Sequence, residues 1–302
     1  MNRTQIFTIL SLIILTGFLT FVTSNPALIV FLVIAIIFGL DLSSDELYEN
    51  IEKLTGKKPG LIYGLTLFSF LTSFDEIAVS GASIGVGYYG ISIGTMIGSV
   101  VVTLVIFLIV LKSSRTKIEN RYFPFLMIVP IYILLLILLD KSGSLAILLL
   151  TFSVVIASFF TFYYLGSHER GEKTPENIEK GVLSRKILLE LVFFIFCILI
   201  FSVYLSKGTG ILGAYLHIQD ISSGYIIPGV LGSIPEIVVI RSSIKKKDSS
   251  SVAGIITGST VIKGGILLPL LIYAFSYTPS YTDLVASGSL IVLLITIALI
   301  FY

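Results

Sequence analysis

Phe70-Leu71-Thr72-Ser73-Phe74-Asp75-Glu76 and Val230-Leu231-Gly232-Ser233-Ile234-Pro235-Glu236 stand 160 residues apart and share a leucine, a serine and a glutamate in one register. The correspondence extends outward without a gap, from residues 64–103 onto residues 224–263. Gly64, Ile77, Val79, Ser83, Ile84, Gly94, Gly98, Ser99 and Val101 recur as Gly224, Ile237, Val239, Ser243, Ile244, Gly254, Gly258, Ser259 and Val261. The chain therefore holds two copies of one segment. Each glutamate sits inside an otherwise apolar stretch. An acid in a membrane span costs about 2.5–3.5 kcal/mol on insertion scales, so two at equivalent positions call for a functional reason. Shared descent of two packing units explains the repeat but not the acids.

The surrounding composition supports a membrane setting. Of 302 residues 55% are hydrophobic and only 13% charged, with a mean hydropathy of +1.02. A soluble domain carries about 25% charged residues. Runs such as Ala27–Leu40, Val100–Leu111, Phe123–Leu139 and Ile187–Leu205 predict a polytopic membrane protein. The spans should be helices, because backbone groups in lipid must be satisfied within their own segment. The alternation of a transmembrane barrel is absent. The expected fold is thus all-α, with about ten spans. They fall near 5–22, 27–48, 61–86, 91–113, 122–140, 143–165, 185–206, 221–243, 251–275 and 283–302. The second and seventh are free to extend as interfacial helices.

Several function classes drop out. The net charge of +2 gives no reason to expect nucleic acid, since the basic residues lie in short loops. Cys197 is the single cysteine, and His168 and His217 are the two histidines. No disulfide within the chain and no His/Cys metal cluster can form. No Trp is present, so an interfacial belt must rest on tyrosines. Neither a Walker A line nor a nucleophile–base pair occurs, which disfavours ATP-driven pumping and enzymatic chemistry. No cofactor is expected. The expected partners are the lipid bilayer and inorganic cations, and a monomer is compatible with every feature.

Basic residues set the orientation. With the N-terminus inside, the inside segments hold 17 Lys and Arg residues and the outside segments only Lys141 and Lys207, Lys263 lying within a span. The N-terminus and the polar linker 166–184 are then cytoplasmic, in a multi-pass cell-membrane protein. The first copy enters the membrane from the inside and the second from the outside. The two copies thus form an inverted repeat, an architecture of secondary transporters that bind substrate near the midplane at the repeat interface. The expected divisions are 1–26, 27–165, 166–184 and 185–302. Segment 1–26 is either an extra span or a cleavable signal, given Arg3, the run Ile6–Val22 and the small residues Thr23 and Ser24.

Ser73 and Glu76 stand three apart and share a helix face, as do Ser233 and Glu236. Pro235 removes a backbone donor and frees a carbonyl in the preceding turn, where Gly229 and Gly232 make unwinding cheap. Carbonyls, hydroxyls and carboxylates together form an oxygen cage that suits hard cations such as Ca²⁺. Mg²⁺ and Na⁺ also accept oxygen. The next helix of each copy opens with Gly94-x-x-x-Gly98-Ser99 or Gly254-x-x-x-Gly258-Ser259, small faces that permit close helix approach. Such approach would bring Ser99 and Ser259 towards the acids.

This arrangement resembles the sodium/calcium exchanger family of the cation/calcium antiporters. Thr72, Ser73 and Glu76 match its first signature line, as do Ser233, Pro235 and Glu236; the paired glycine–serine lines match its second. The resemblance implies a secondary antiporter exchanging Ca²⁺ against Na⁺ or H⁺ by alternating access. It makes Glu76 and Glu236 the principal metal ligands, with Ser73, Ser233, Ser99, Ser259 and Thr72 as oxygen donors. The alternatives are an antiporter for another cation and a transport-altered or transport-dead protein that keeps the fold.

The departures from the family pattern are specific. Asp75 replaces a proline beside Glu76, and Thr95, Ile255, Val100 and Thr260 replace asparagines. Thr103 and Lys263 replace an Asp or Asn four residues after the Gly-Ser serine. Against the family pattern, the final span is expected to be lacking and an extra one to stand at the start. Lys263 lies about 18 Å from either end of its span, too deep to snorkel easily. It is expected to compensate an acid, with Asp75, Glu76 or Glu236 as candidates. Its ammonium would stand where the family holds a sodium ion, which predicts weak Na⁺ dependence. Glu190 is expected to pair with Arg185 or Lys186. Asp41, Asp45, Glu46, Glu49 and Glu52 read as a solvated face, and Gly81–Gly90 as a flexible turn.

Overall fold

A computed structural model describes residues 3–22, 25–55, 69–113, 185–233 and 249–275, and every regular element among them is helical. The expected spans at 122–140, 143–165 and 283–302, the linker 166–184, and Pro235 and Glu236 lie outside the described residues. The chain divides into two compact units: Met1–Lys58, Leu71–Gly98 and Asn177–Pro235 form one, and Pro59–Phe70, Ser99–Glu176 and Glu236–Tyr302 the other.

The first unit is built on α1 (Arg3–Val22), α2 (Pro26–Thr55) and α6 (Arg185–Tyr215). Helix α2 opens on an Asn-Pro start. Asn25 Oδ1 accepts the Ala27 N–H at 3.0 Å, and Pro26 occupies the first turn, where its missing donor is harmless. Both α2 and α6 run past their apolar cores, as expected of the second and seventh spans. They lie antiparallel, with the Phe201 ring against Gly39 and Val33 against Gly208. Helix α1 packs on both, with Ile9 fully buried and Gly17 facing Tyr204. A methyl at Gly17 would stand 2.6 Å from the Tyr204 hydroxyl. Gly17 and Gly39 are therefore notches for aromatic rings, which supply large contact areas.

Apolar and polar residues are distributed as lipid requires. Phe7, Ile14, Phe31, Leu189 and Phe196 are exposed, whereas Ser43, Ser202 and Ser206 are fully buried. Their hydroxyls bond back to the preceding turn: Ser43 to Gly39 O at 2.8 Å and Ser202 to Ile198 O at 2.7 Å. Among the described residues, Ala27–Ile51 and Lys186–Tyr215 are long and apolar enough to cross a bilayer; Gln5–Phe18, Tyr89–Thr103 and Gly254–Leu267 are shorter apolar helices.

Two expectations need correction. The acidic stretch of α2 is not a solvated face: Glu46 and Asn50 are buried, Asp41 and Asp45 half-buried, and Glu49 exposed. The helix stays packed as far as Leu47, so its polar end is drawn in with its apolar face. Nor is Gly81–Gly90 a flexible stretch. Gly81 and Gly85 lie within α4 (Phe74–Gly85), which ends in an ordered cap. Gly87 takes φ +86°, with Tyr88 N–H bonded to Ser83 O at 2.8 Å and Gly87 N–H to Ile84 O at 3.0 Å. Helix α6 ends in the same way: His217 takes φ 54°, with Ile218 N–H on Gly213 O at 2.9 Å and His217 N–H on Ala214 O at 3.3 Å. Glu190 behaves as expected, its Oε1 standing 4.0 Å from Lys186 Nζ.

Candidate functional site

The first signature line is a helix broken at its serine. The short α3 (Ser69–Thr72) stops before Ser73, whose φ −100° and ψ 0° interrupt the helix, and α4 starts at Phe74. Asp75 and Glu76 therefore occupy the first turn of α4, each 2% exposed. The helix dipole favours negative side chains there, by about 0.3–1 kcal/mol and up to ~2 in partly buried geometry. Thr72 and Ser73 are buried beside them.

The second line is broken differently. Helix α7 (Asp220–Gly224) widens into a π-helical turn over Tyr225–Val230, then tightens into a 3₁₀ turn over Leu231–Ser233. Pro228 inside the π turn lacks the donor that an α-helix would require, and Gly229 and Gly232 each disfavour helix by about 1 kcal/mol relative to Ala, against about 3 for proline. Unwinding was expected in this turn from Pro235, which lies outside the described residues; within the described break stands Pro228.

These two breaks meet. Ser233 Oγ lies 2.7 Å from Gly229 O and 3.2 Å from Glu76 Oε1, donating to both. Ser233 is fully buried, so the second copy's serine directly meets the first copy's carboxylate. Helix α5 (Tyr89–Ser113) packs its glycine face on the same segment. A methyl at Gly94 would collide with the Ile221 carbonyl and one at Gly98 with the Tyr225 carbonyl, while one at Gly229 would stand 2.9 Å from Gly98 Cα. The contact is backbone on backbone. The Gly-x-x-x-Gly face thus seats α5 against the broken turn that holds Ser233.

The remaining candidates belong to the second unit. Ser99 and Thr103 are buried on α5, with Thr103 Oγ1 donating to Ser99 O at 2.8 Å. Ser259 is buried near the end of α8 (Ser249–Thr260). Lys263 is fully buried in a π-helical stretch, Val261–Leu267, that leads into α9 (Leu268–Phe275). The equivalent residues 101–107 are ordinary α-helix. Gly264 and Gly265 next to Lys263 lower the cost of that register change. Among the described residues no group of three or more His, Cys, Asp or Glu side chains converges, and Glu236 lies outside them.

No curated protein sequence matches the chain. Among the solved structures that share its fold are native YfkE and the H⁺/Ca²⁺ exchanger CAX. The native structure of YfkE aligns with a TM-score of 0.64 at 15% identity, covering 97% of this chain and 91% of that one. The H⁺/Ca²⁺ exchanger CAX aligns with a TM-score of 0.60 at 15% identity, covering 99% of this chain and 92% of that one. The sodium/calcium exchanger protein family model matches residues 28–167 and 186–302, nearly the whole chain on both sides of the linker. The chain therefore belongs to the sodium/calcium exchanger family of membrane-embedded secondary transporters and is not an enzyme.

Proposed function

We propose that this protein is a multi-pass cation antiporter that exchanges Ca²⁺ against H⁺ by alternating access, with Glu76 and Glu236 as the cation-carrying carboxylates. Ser73, Ser233, Ser99, Ser259 and Thr72 supply further oxygens. The observation that carries the reading is the Ser233 hydroxyl on Glu76: a donor from one copy is set against the acid of the other at a buried point where both helices break. Freed backbone and fixed dipoles at broken helices are how secondary transporters build cation sites. The inverted orientation of the copies, the cytoplasmic N-terminus and linker, and the divisions 1–26, 27–165, 166–184 and 185–302 are parts of the same proposal. The packing of Ile9 and Gly17 against α2 and α6 favours 1–26 as a retained span.

Protons are preferred over Na⁺ because of Lys263. A fully buried ammonium is a fixed cation in a position where the family pattern carries an Asp or Asn. With Asp75 as an added acid and Thr103 as the neutral counterpart in the first copy, the chain supplies its own charge compensation. The fold neighbour CAX is named an H⁺/Ca²⁺ exchanger, which agrees. The same buried lysine favours a second reading, a transport-altered protein with a locked site. Ion flux in proteoliposomes under imposed H⁺, Na⁺ and K⁺ gradients separates these readings. Ca²⁺ uptake driven by H⁺ supports the first; no flux with intact fold supports the second. Retained Ca²⁺ binding by both Glu76→Gln and Glu236→Gln would remove the proposed site altogether.

A further inference from the structure

Helix α2 carries a polar stripe on its packed side. Ser43, Glu46 and Asn50 are buried at the spacing of one helix face, with Leu47 among them. Helix α6 carries Ile187, Glu190, Leu191 and Phe194 at the same kind of spacing. The two stripes meet. Leu47 and Ile51 of α2 belong to one apolar core with Ile187, Leu191 and Phe194 of α6.

The glycine contacts set the register. Phe201 lies on Gly39 and Gly208 on Val33, so the helices are antiparallel and Asn50 falls level with Glu190. Glu46 stands about one turn away. Glu46 is 8% exposed, Glu190 7% and Asn50 1%. Two carboxylates are thus sunk into one apolar interface, within the helix segments long enough to cross a bilayer. Buried charges are paired or coordinate a metal, and acids at such depth call for a function. Lys186 Nζ reaches Glu190 Oε1 at 4.0 Å from an exposed position.

Asn50 is a separate sign. Its Nδ2 is buried with no hydrogen-bond partner among the described residues. A half-turn of the amide places Oδ1 there instead. Buried polar atoms without partners are uncommon, so this one points to a ligand in the layer.

The set is not inherited packing. The shift of 160 residues that relates the two copies carries Pro26–Thr55 onto 186–215, the length of α6. Glu46 then corresponds to Ser206, Asn50 to Gly210 and Glu190 to Val30. At that other end of the helix pair the Tyr88 ring fills the notch at Gly210. The carboxylates and the amide belong to one end alone.

We propose that Glu46, Asn50 and Glu190 form a second binding site for a divalent cation, between α2 and α6 and separate from Glu76. Helices α4 and α6 run the same way, with Ser83 on Ser206 and Tyr88 on Gly210, which sets Glu76 level with Leu199. Glu190 lies about 13 Å nearer the N-terminal end of α6. That end is cytoplasmic in the orientation proposed above. Two chelating carboxylates and an amide oxygen supply up to about five oxygens, and water completes the shell of a hard cation. Asp45, half-buried, and Glu49, exposed, flank the same turns and raise the cation concentration at the approach. A bound cation cancels the repulsion between Glu46 and Glu190 and ties α2 to α6.

Equilibrium dialysis of the purified full chain against radioactive Ca²⁺ is the test, with thermal midpoints read at low and high Ca²⁺. The native protein should show two classes of Ca²⁺ site. Glu46→Gln and Glu190→Gln should each lose one class and keep the class that Glu76→Gln loses. Ca²⁺ should raise the thermal midpoint of Glu76→Gln but not that of the Glu76→Gln/Glu190→Gln double variant. Asn50→Asp, which adds a charged oxygen, should tighten the second class by about tenfold. A single class, lost in Glu76→Gln and untouched by Glu46→Gln, Glu190→Gln and Asn50→Asp, overturns the second site and leaves Glu76 as the carrier. Unchanged or weaker binding in Asn50→Asp also overturns it, since the acids would then be held by the chain's own basic groups. Two classes retained in Glu76→Gln, with one lost in Glu190→Gln, keep the second site and remove the carrier reading.

Discussion

Ser233 and Glu76 are 157 residues apart in the chain, yet the Ser233 hydroxyl stands 3.2 Å from Glu76 Oε1, at a point where the helices of both copies are interrupted. That hydroxyl also holds Gly229 O at 2.7 Å, so one side chain ties the carboxylate to the broken turn of the other copy.

Ser233→Ala should weaken Ca²⁺ binding measurably. Hydrogen bonds to charged groups contribute about 1.5–3 kcal/mol, but this proton is shared with Gly229 O. A loss of roughly tenfold in affinity is expected at the lower end of that range. Titration calorimetry on the purified protein checks it, and an unchanged affinity would detach Ser233 from the site.

Gly94→Ala and Gly98→Ala should each destabilise the protein and slow transport together. A methyl at either position meets a carbonyl oxygen of the 221–225 segment rather than a movable side chain. Overpacking costs about 1–3 kcal/mol and more against backbone. Gly81→Ala, where a methyl meets nothing within 4 Å, is the matched control. It should leave the thermal midpoint unchanged or raise it.

His217→Gly should stabilise the fold. His217 is a non-glycine residue at φ 54°, while Gly87 takes the same place in the α4 cap. Left-handed backbone costs an L-residue roughly 1 kcal/mol, so the thermal midpoint should rise. Gly87→Ala should lower it by a similar amount. If both shifts are absent, the two caps are not the stable ends described.

Lys263→Ala should make Ca²⁺ uptake responsive to a Na⁺ gradient, whereas native uptake should be nearly indifferent to Na⁺. Removing a buried charge also leaves its surroundings uncompensated, so a loss of about 3–5 kcal/mol in stability is expected. Sodium-driven Ca²⁺ uptake by the native protein, abolished in Lys263→Ala, would refute the role assigned to the lysine.

Periodicity and repetition were readable because they are local. The apolar runs at 5–22, 27–48 and 185–206 became α1, α2 and α6 with little change, since burial in lipid depends on the sum of side-chain hydrophobicity. Glu76 was conspicuous because an acid is costly in such a run. The same local logic misread the acids of α2. Their helical spacing is correct, but burial depends on what packs against them, and Glu46 and Asn50 are covered.

The amino-acid sequence alone determined the membrane class, the duplicated segment, the candidate acids and the family resemblance. Only the tertiary structure decided that Ser233 meets Glu76, that Pro228 stands inside the described break, and that Lys263 lies in a π-helical turn. It also decided that Asn50 of α2 lies level with Glu190 of α6. A π turn shifts the backbone hydrogen-bond register without changing hydropathy, and a contact such as Ser83 with Ser206 joins residues 123 apart. Neither leaves a trace in a local pattern, because both follow from how helices are laid against one another.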